Sequence, residues 1–141
     1  MSKAVISDKA EPRELKALFI LGPKIEPAPE ILKLYDREDC LVIGNGLDNV
    51  KISEIDRKLK SHNVQIGPNT RIDISVHGLK DNKEHILLLD EKGVKTKTFL
   101  QELQKLSSEN PLYTHIWACY GGTANKDIEA LKPGSIIVTH V

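Results

Sequence analysis

The sequence predicts an α/β protein: a three-layer sandwich with a mainly parallel central sheet and helices on both faces. Three observations carry that expectation. Short, continuously apolar runs such as "ALFIL" and "CLVI" end abruptly at turn residues, the pattern of strands buried on both faces. Stretches with apolar residues at helical spacing alternate with them. Strand–helix alternation of this kind builds βαβ units with right-handed crossovers. At 141 residues, with no linker or repeat in view, the chain reads as one domain with a real core.

Taken in order, residues 1–15 are polar and are expected to be a flexible segment, and 16–141 the folded domain. "KALFILG" is a first strand stopped by Gly22-Pro23. In "EPAPEILKLYDRED" the prolines suit a first helical turn, and Ile31, Leu32 and Tyr35 share a helical face. "CLVIGNG" is the second strand. "KISEIDRKLKSHN" is a helix with Ile52, Ile55 and Leu59 inward, Ser53 as the expected N-cap and Asp56 placed to answer it. "RIDISVHG" is a third strand and "HILLLDEKGVK" a hairpin. "TFLQELQKLSS" is a helix with Phe99, Leu103 and Leu106 inward and a capping box from Thr98 to Gln101. "YTHIWACYGG" is a fourth strand, "NKDIEALKPG" a short helix stopped by Pro133-Gly134, and "SIIVTHV" a fifth strand.

Composition removes several functions. Twenty basic and twenty acidic side chains cancel, so no electrostatic case exists for nucleic acid or an anionic membrane. No apolar run approaches the length of a membrane span. "MSKAVISDKAEPRE" is too charged for a secretory signal, so a cytoplasmic setting, or delivery into a host cytosol, is expected. Cys40 and Cys119 do not make a disulfide framework, the five histidines lack metal-ligand spacing, and no cofactor or metal is expected. "GNG" at 44–46 lacks the third glycine of a nucleotide-binding fingerprint, so a flavodoxin-like flavin or nucleotide domain rests on little beyond the α/β pattern.

In an open parallel sheet, ligands bind beyond the carboxyl ends of the strands. Two strands end there in reactive side chains: "SVHG" places His77-Gly78, and "WACYGG" places Cys119. If those strands are neighbours, their ends lie only about 4.8 Å apart in the pairing direction. A thiol near an imidazole suits nucleophilic catalysis, because the thiolate is the attacking species and the imidazole can take its proton and later protonate a leaving amine. The backbone N–H groups of Gly78 and Cys119 are candidate oxyanion donors, and Gly78 and Gly121 are expected to allow sharp turns and close approach. Cys40, ahead of a core strand, reads as structural. Asp73 and His115 can meet across their strands, but Asp73 is not assigned a catalytic part.

The pair His77-Gly78 and Ala118-Cys119-Tyr120-Gly121, on consecutive core strands with a hairpin and helix between, resembles the caspase-type cysteine peptidases: caspases, legumains, clostripain, gingipains and toxin self-processing domains. Their signature places Ala-Cys-x-Gly about 50 residues after the histidine. The resemblance covers roughly 16–141 and implies a cysteine endopeptidase, self-processing in some members, with Cys119 as nucleophile and His77 as general acid/base. It implies a polypeptide substrate and a groove near Lys24, Trp117, Tyr120 and His140. It also implies C-terminal elements beyond this chain, so the chain is expected to be a fragment completed by further segments of a parent protein or by a dimer partner. Trp117 and Tyr120 replace the glutamine and arginine of the caspase signature, and Gly22-Pro23-Lys24 stands where caspases place an arginine that reads aspartate. Cleavage after aspartate is therefore not expected. The alternative is a catalytically silent binding module on the same fold.

Overall fold

A computed structural model describes residues 11–26, 33 and 39–140. Five strands form the central sheet: β2 (Ala17–Leu21), β3 (Cys40–Ile43), β5 (Arg71–Ser75), β9 (Tyr113–Trp117) and β10 (Ile136–His140). Their order is β10-β9-β5-β2-β3, and every pairing is parallel. Two small sheets flank it. Arg13–Glu14 (β1) pairs with Val64–Gln65 (β4), and Gly78–Asp81 (β6), Glu84–Leu87 (β7) and Val94–Lys95 (β8) form an antiparallel three-stranded unit. The helices are α1 (Ile52–Ser61) and α2 (Thr96–Leu106), with a 3₁₀ segment at Gly121–Ala130.

Alternation along the strands divides the side chains between two faces. Leu18, Ile20, Leu41, Ile43, Ile72, Ile74 and Ile116 face α1 and α2 in one core with Ile55, Leu59, Phe99, Leu100 and Leu103. Each fully buried side chain of that kind contributes about 1.5–3 kcal/mol. On the other face, Phe19 and Leu21 pack with Ala17, Ile25, Cys40 and Val42. Cys40 thus has a packing role, as its sequence position suggests. Further along that face the residues are polar: Arg71 and Asp73 on β5, Tyr113, His115 and Trp117 on β9, and His140 on β10.

Several local expectations shift. The N-cap of α1 is Lys51, without a side-chain cap bond, so Ser53 lies inside the first turn. α2 is likewise capped by Lys95, which places Thr98 within the helix instead of in a capping box. The hairpin expected over "HILLLDEKGVK" forms as β7–β8, with Ile86 opposite Lys95, and a further strand, β6, joins it through a turn at Asn82 and Lys83 in left-handed conformations. The short final helix is 3₁₀ and begins at Gly121. β1 and the buried Leu15 place ordered packing ahead of Lys16. The expected helix with Ile31, Leu32 and Tyr35 lies outside the described residues, apart from the helical Lys33. Among the described residues no helix is long and apolar enough to cross a membrane.

Candidate functional site

β5 and β9 are neighbours and parallel, with Ser75 opposite Trp117. The pairing continues past the strand ends, where the Val76 N–H donates to the Trp117 carbonyl at 3.2 Å. His77 and Cys119 each lie two residues beyond that register pair, so they leave the sheet side by side at its carboxyl edge. Both are exposed, and both line one open groove of about 680 Å³. Trp117, Tyr120 and His140 share its lining, with Ile25, Val76 and Ala118. Of the six residues expected to form the site around Cys119, four thereby share its groove, His77, Trp117, Tyr120 and His140, and Gly78 packs against the Cys119 carbonyl. Lys24 lines an adjoining groove, which meets the first at His77.

Lys24 nevertheless reaches the site through its backbone. His77 Nε2 lies 2.9 Å from the Lys24 carbonyl oxygen. A carbonyl only accepts, so Nε2 carries a proton and donates it; in the neutral ring Nδ1 is then the basic nitrogen. Lys24 has φ 61°, an uncommon conformation for a lysine, and its N–H donates to the Gly46 carbonyl at 2.7 Å. Gly46 has φ 80°, and a Cβ there would stand 2.5 Å from the Ile25 carbonyl oxygen. The "GNG" stretch folds on itself: the Asn45 side-chain oxygen accepts from the N–H groups of Leu47 and Asp48 at 2.8 and 2.9 Å. Its work is to hold the Pro23-Lys24 turn against His77.

The His-Gly and Ala-Cys motifs interlock. A Cβ at Gly78 would stand 2.3 Å from the Cys119 carbonyl oxygen and 3.0 Å from the Ala118 side chain. The same carbonyl accepts from His85 Nε2 at 2.9 Å, and Thr96 Oγ1 lies 2.6 Å from His85 Nδ1. In the neutral ring the hydroxyl donates to Nδ1. Sequence reading missed His85 and Thr96; the signal was a histidine amid the apolar residues of "HILLL", with a threonine at the helix start. The Leu88 N–H donates to the His77 carbonyl at 2.9 Å. By the alternation of antiparallel ladders, Gly78 opposite Leu87 is then a non-hydrogen-bonded pair, its N–H directed away from β7. At the other strand end the sharp turn falls on Tyr120, at φ 61°, and not on Gly121, whose N–H closes the turn onto the Ala118 carbonyl at 3.1 Å.

A polar chain supports the groove from beneath. Arg71 grips Asp73 with two bonds of 2.9 and 3.1 Å, and Asp73 accepts from Trp117 Nε1 at 3.0 Å. The indole stacks on His140 with centroids 3.5 Å apart and planes 2° from parallel. His140 Nε2 lies 2.8 Å from His115 Nδ1, and His115 Nε2 lies 2.8 Å from the Tyr113 hydroxyl. Asp73, opposite His115 in register, accepts from Arg71 and Trp117. Burial first, then the positive charge of Arg71, holds His115 below the usual imidazole range; Asp73 opposes this and His140 adds to it. Among the described residues no cluster of His, Cys, Asp and Glu is placed to hold a metal ion.

No family model matches the chain. It is 67% identical over 142 residues to a protein of Rickettsia bellii (strain RML369-C) named for ankyrin repeats. The match takes in all of this chain and spans 17% of the relative's length. Ankyrin repeats are stacked helix pairs, whereas the described residues here form a parallel sheet.

Proposed function

We propose that the chain is the catalytic region of a caspase-type cysteine endopeptidase, with self-processing of a longer parent as its setting. What supports the reading is one arrangement: His77 and Cys119 leave neighbouring parallel strands in register into a shared groove, with the imidazole oriented by the Lys24 carbonyl. A nucleophile, a base and a third group orienting the base are the parts covalent catalysis needs.

In the proposed reaction, His77 Nδ1 takes the thiol proton of Cys119. The sulfur attacks the scissile carbonyl carbon, and the oxyanion is met by the N–H groups of Gly78 and Cys119. The Lys24 carbonyl stabilises the imidazolium formed. The C–N bond then breaks, with the proton passing from His77 to the leaving amine and an acyl thioester remaining on Cys119. Water, giving a proton to His77, hydrolyses the thioester and frees the thiol. Each oxyanion donor is worth about 2.7–4 kcal/mol in comparable sites.

The test compares wild type with Cys119→Ala, as this chain and within its full-length parent, on a peptide library read by mass spectrometry. Cleavages present in wild type and absent from Cys119→Ala and His77→Ala are the expected result, and identical patterns in all three would sink the proposal. The second reading, a module that binds polypeptide without cutting it, draws on the aromatic lining around Cys119. It predicts peptide binding that survives Cys119→Ala with no cleavage by wild type.

A further inference from the structure

The proposed peptidase still lacks a substrate class, and resting on that reading, we infer that the groove beside Cys119 is a subsite for an uncharged apolar or aromatic side chain. That side chain belongs to the residue on the acyl side of the scissile bond. The Trp117–His140 stack forms the subsite wall.

The lining carries the argument. Around Cys119 and His77 the groove offers the rings of Trp117, Tyr120 and His140 and the aliphatic groups of Ile25, Val76 and Ala118, with no carboxylate, lysine or arginine among the described residues that line it. An aspartate or glutamate entering it gives up hydration without meeting a fixed cation among the described residues, since Lys24 lines the adjoining groove that meets this one at His77. An arginine or lysine gains a cation–π contact with the indole but meets no counter-charge. The nearest buried carboxylate, Asp73, already binds the Arg71 guanidinium and the Trp117 Nε1–H. An apolar side chain incurs neither cost and buries itself against preformed aromatic surface.

The wall is also fixed in place. Trp117 is tethered at its nitrogen by Asp73 and covered on one ring face by His140, which His115 holds from below. The exposed Tyr120, in the left-handed conformation directly after Cys119, lines the same groove. Asp73 is a positioning residue here: it acts on substrate only through the indole.

The test uses N-acetyl dipeptidyl acyloxymethyl ketones that differ only in the side chain next to the ketone: leucine, phenylalanine, aspartate or arginine. In the reaction the Cys119 sulfur bonds to the methylene carbon and the carboxylate leaves. At pH 7.5, with intact-mass readout, the leucine and phenylalanine probes are expected to modify Cys119 on the order of 10- to 100-fold faster than the charged ones. Trp117→Ala is expected to erase most of that ratio. Tyr120→Gly, which keeps the left-handed backbone and removes an exposed ring, should lower it several-fold even if the tryptophan variant does not fold. Iodoacetamide, too small to use a subsite, separates the two levels of the argument. If it labels Cys119 in a His77-dependent way while the aspartate or arginine probe matches the leucine probe, or neither substitution changes the ratio, the subsite is overturned and the Cys–His reading stands. If labelling ignores His77→Ala, the underlying reading falls.

Discussion

At the scale of single residues, Gly78 is where the two motifs touch. The space its missing side chain leaves is occupied by backbone, the Cys119 carbonyl at 2.3 Å, and backbone does not swing aside as a lysine tip would. Gly78→Ala should therefore cost about 1–3 kcal/mol, the range for overpacked interiors, and displace the loop that carries the thiol. Gly122→Ala is the control: nothing stands within 4 Å of its Cβ position, and its change should fall within about 0.5 kcal/mol. Urea midpoints of the two variants measure this; equal midpoints would mean that the close approach at Gly78 carries no constraint. The glycine of a His-Gly pair is legible in sequence as a place of close approach. What approaches it is not, because the partner sits on another strand. The same holds for His85, whose ring spans from Thr96 to the Cys119 carbonyl across three elements.

At the scale of elements, β2 and β3 were readable as continuous apolar runs, the pattern of burial on both faces, and β5 and β9 as apolar residues alternating with polar ones. Helix starts were not. Ser53 and Thr98 are good capping residues, yet α1 and α2 begin earlier, at Lys51 and Lys95, whose extended backbones serve as caps without a side-chain bond. The segment after Cys119 was visible as a helix but not as a 3₁₀ one. It carries Asp127, buried, with one carboxylate oxygen lacking a hydrogen-bond partner. Burial, and after it the negative charge of Glu84, raises the Asp127 carboxyl above its usual value, while Lys126, His85 and Lys97 pull the other way. A raised carboxyl favours the protonated form in the folded state. Its contribution is most favourable below the unfolded value of 3.8 and is lost as pH rises through the folded value. Asp127→Asn should therefore raise the melting temperature at pH 7, with the gain shrinking as the pH is lowered toward 4. A lower melting temperature at pH 7 would mean that the ionised carboxylate has a partner worth more than its burial costs.

At the scale of the whole molecule, the central sheet has two unlike halves on its second face. Over β2 and β3 the face is apolar, around Phe19 and Leu21; over β5, β9 and β10 it is polar, a bonded run from Arg71 through Asp73, Trp117, His140 and His115 to Tyr113. Alternation in "RIDIS" and "YTHIW" announces polar residues on one face, but a bridge between His115 and a histidine 25 residues later depends on β10 lying next to β9. The bridge has one place for a proton between His115 Nδ1 and His140 Nε2, so the neutral pair fits and the doubly charged pair sets two N–H donors against each other. Burial, and then Arg71, holds His115 below the usual imidazole value in the folded state, and His140 adds to this. The unfolded chain binds that proton first, so stability is complete above the unfolded value of 6.5 and falls as pH drops through it toward the folded value. Thermal melts from pH 7.5 to 5.5 should show this loss in wild type and a smaller one in His115→Gln, which keeps an amide able to bond but cannot take a charge. His62, His77 and His85, which are not bonded to residue 115, cancel in that comparison. Asp127 works in the opposite sense, gaining as the medium is acidified, so Asp127→Asn should steepen the acid loss where His115→Gln flattens it. Parallel melting curves for wild type and His115→Gln would show that this imidazole is accommodated charged, and that the wall behind Cys119 does not depend on its neutrality.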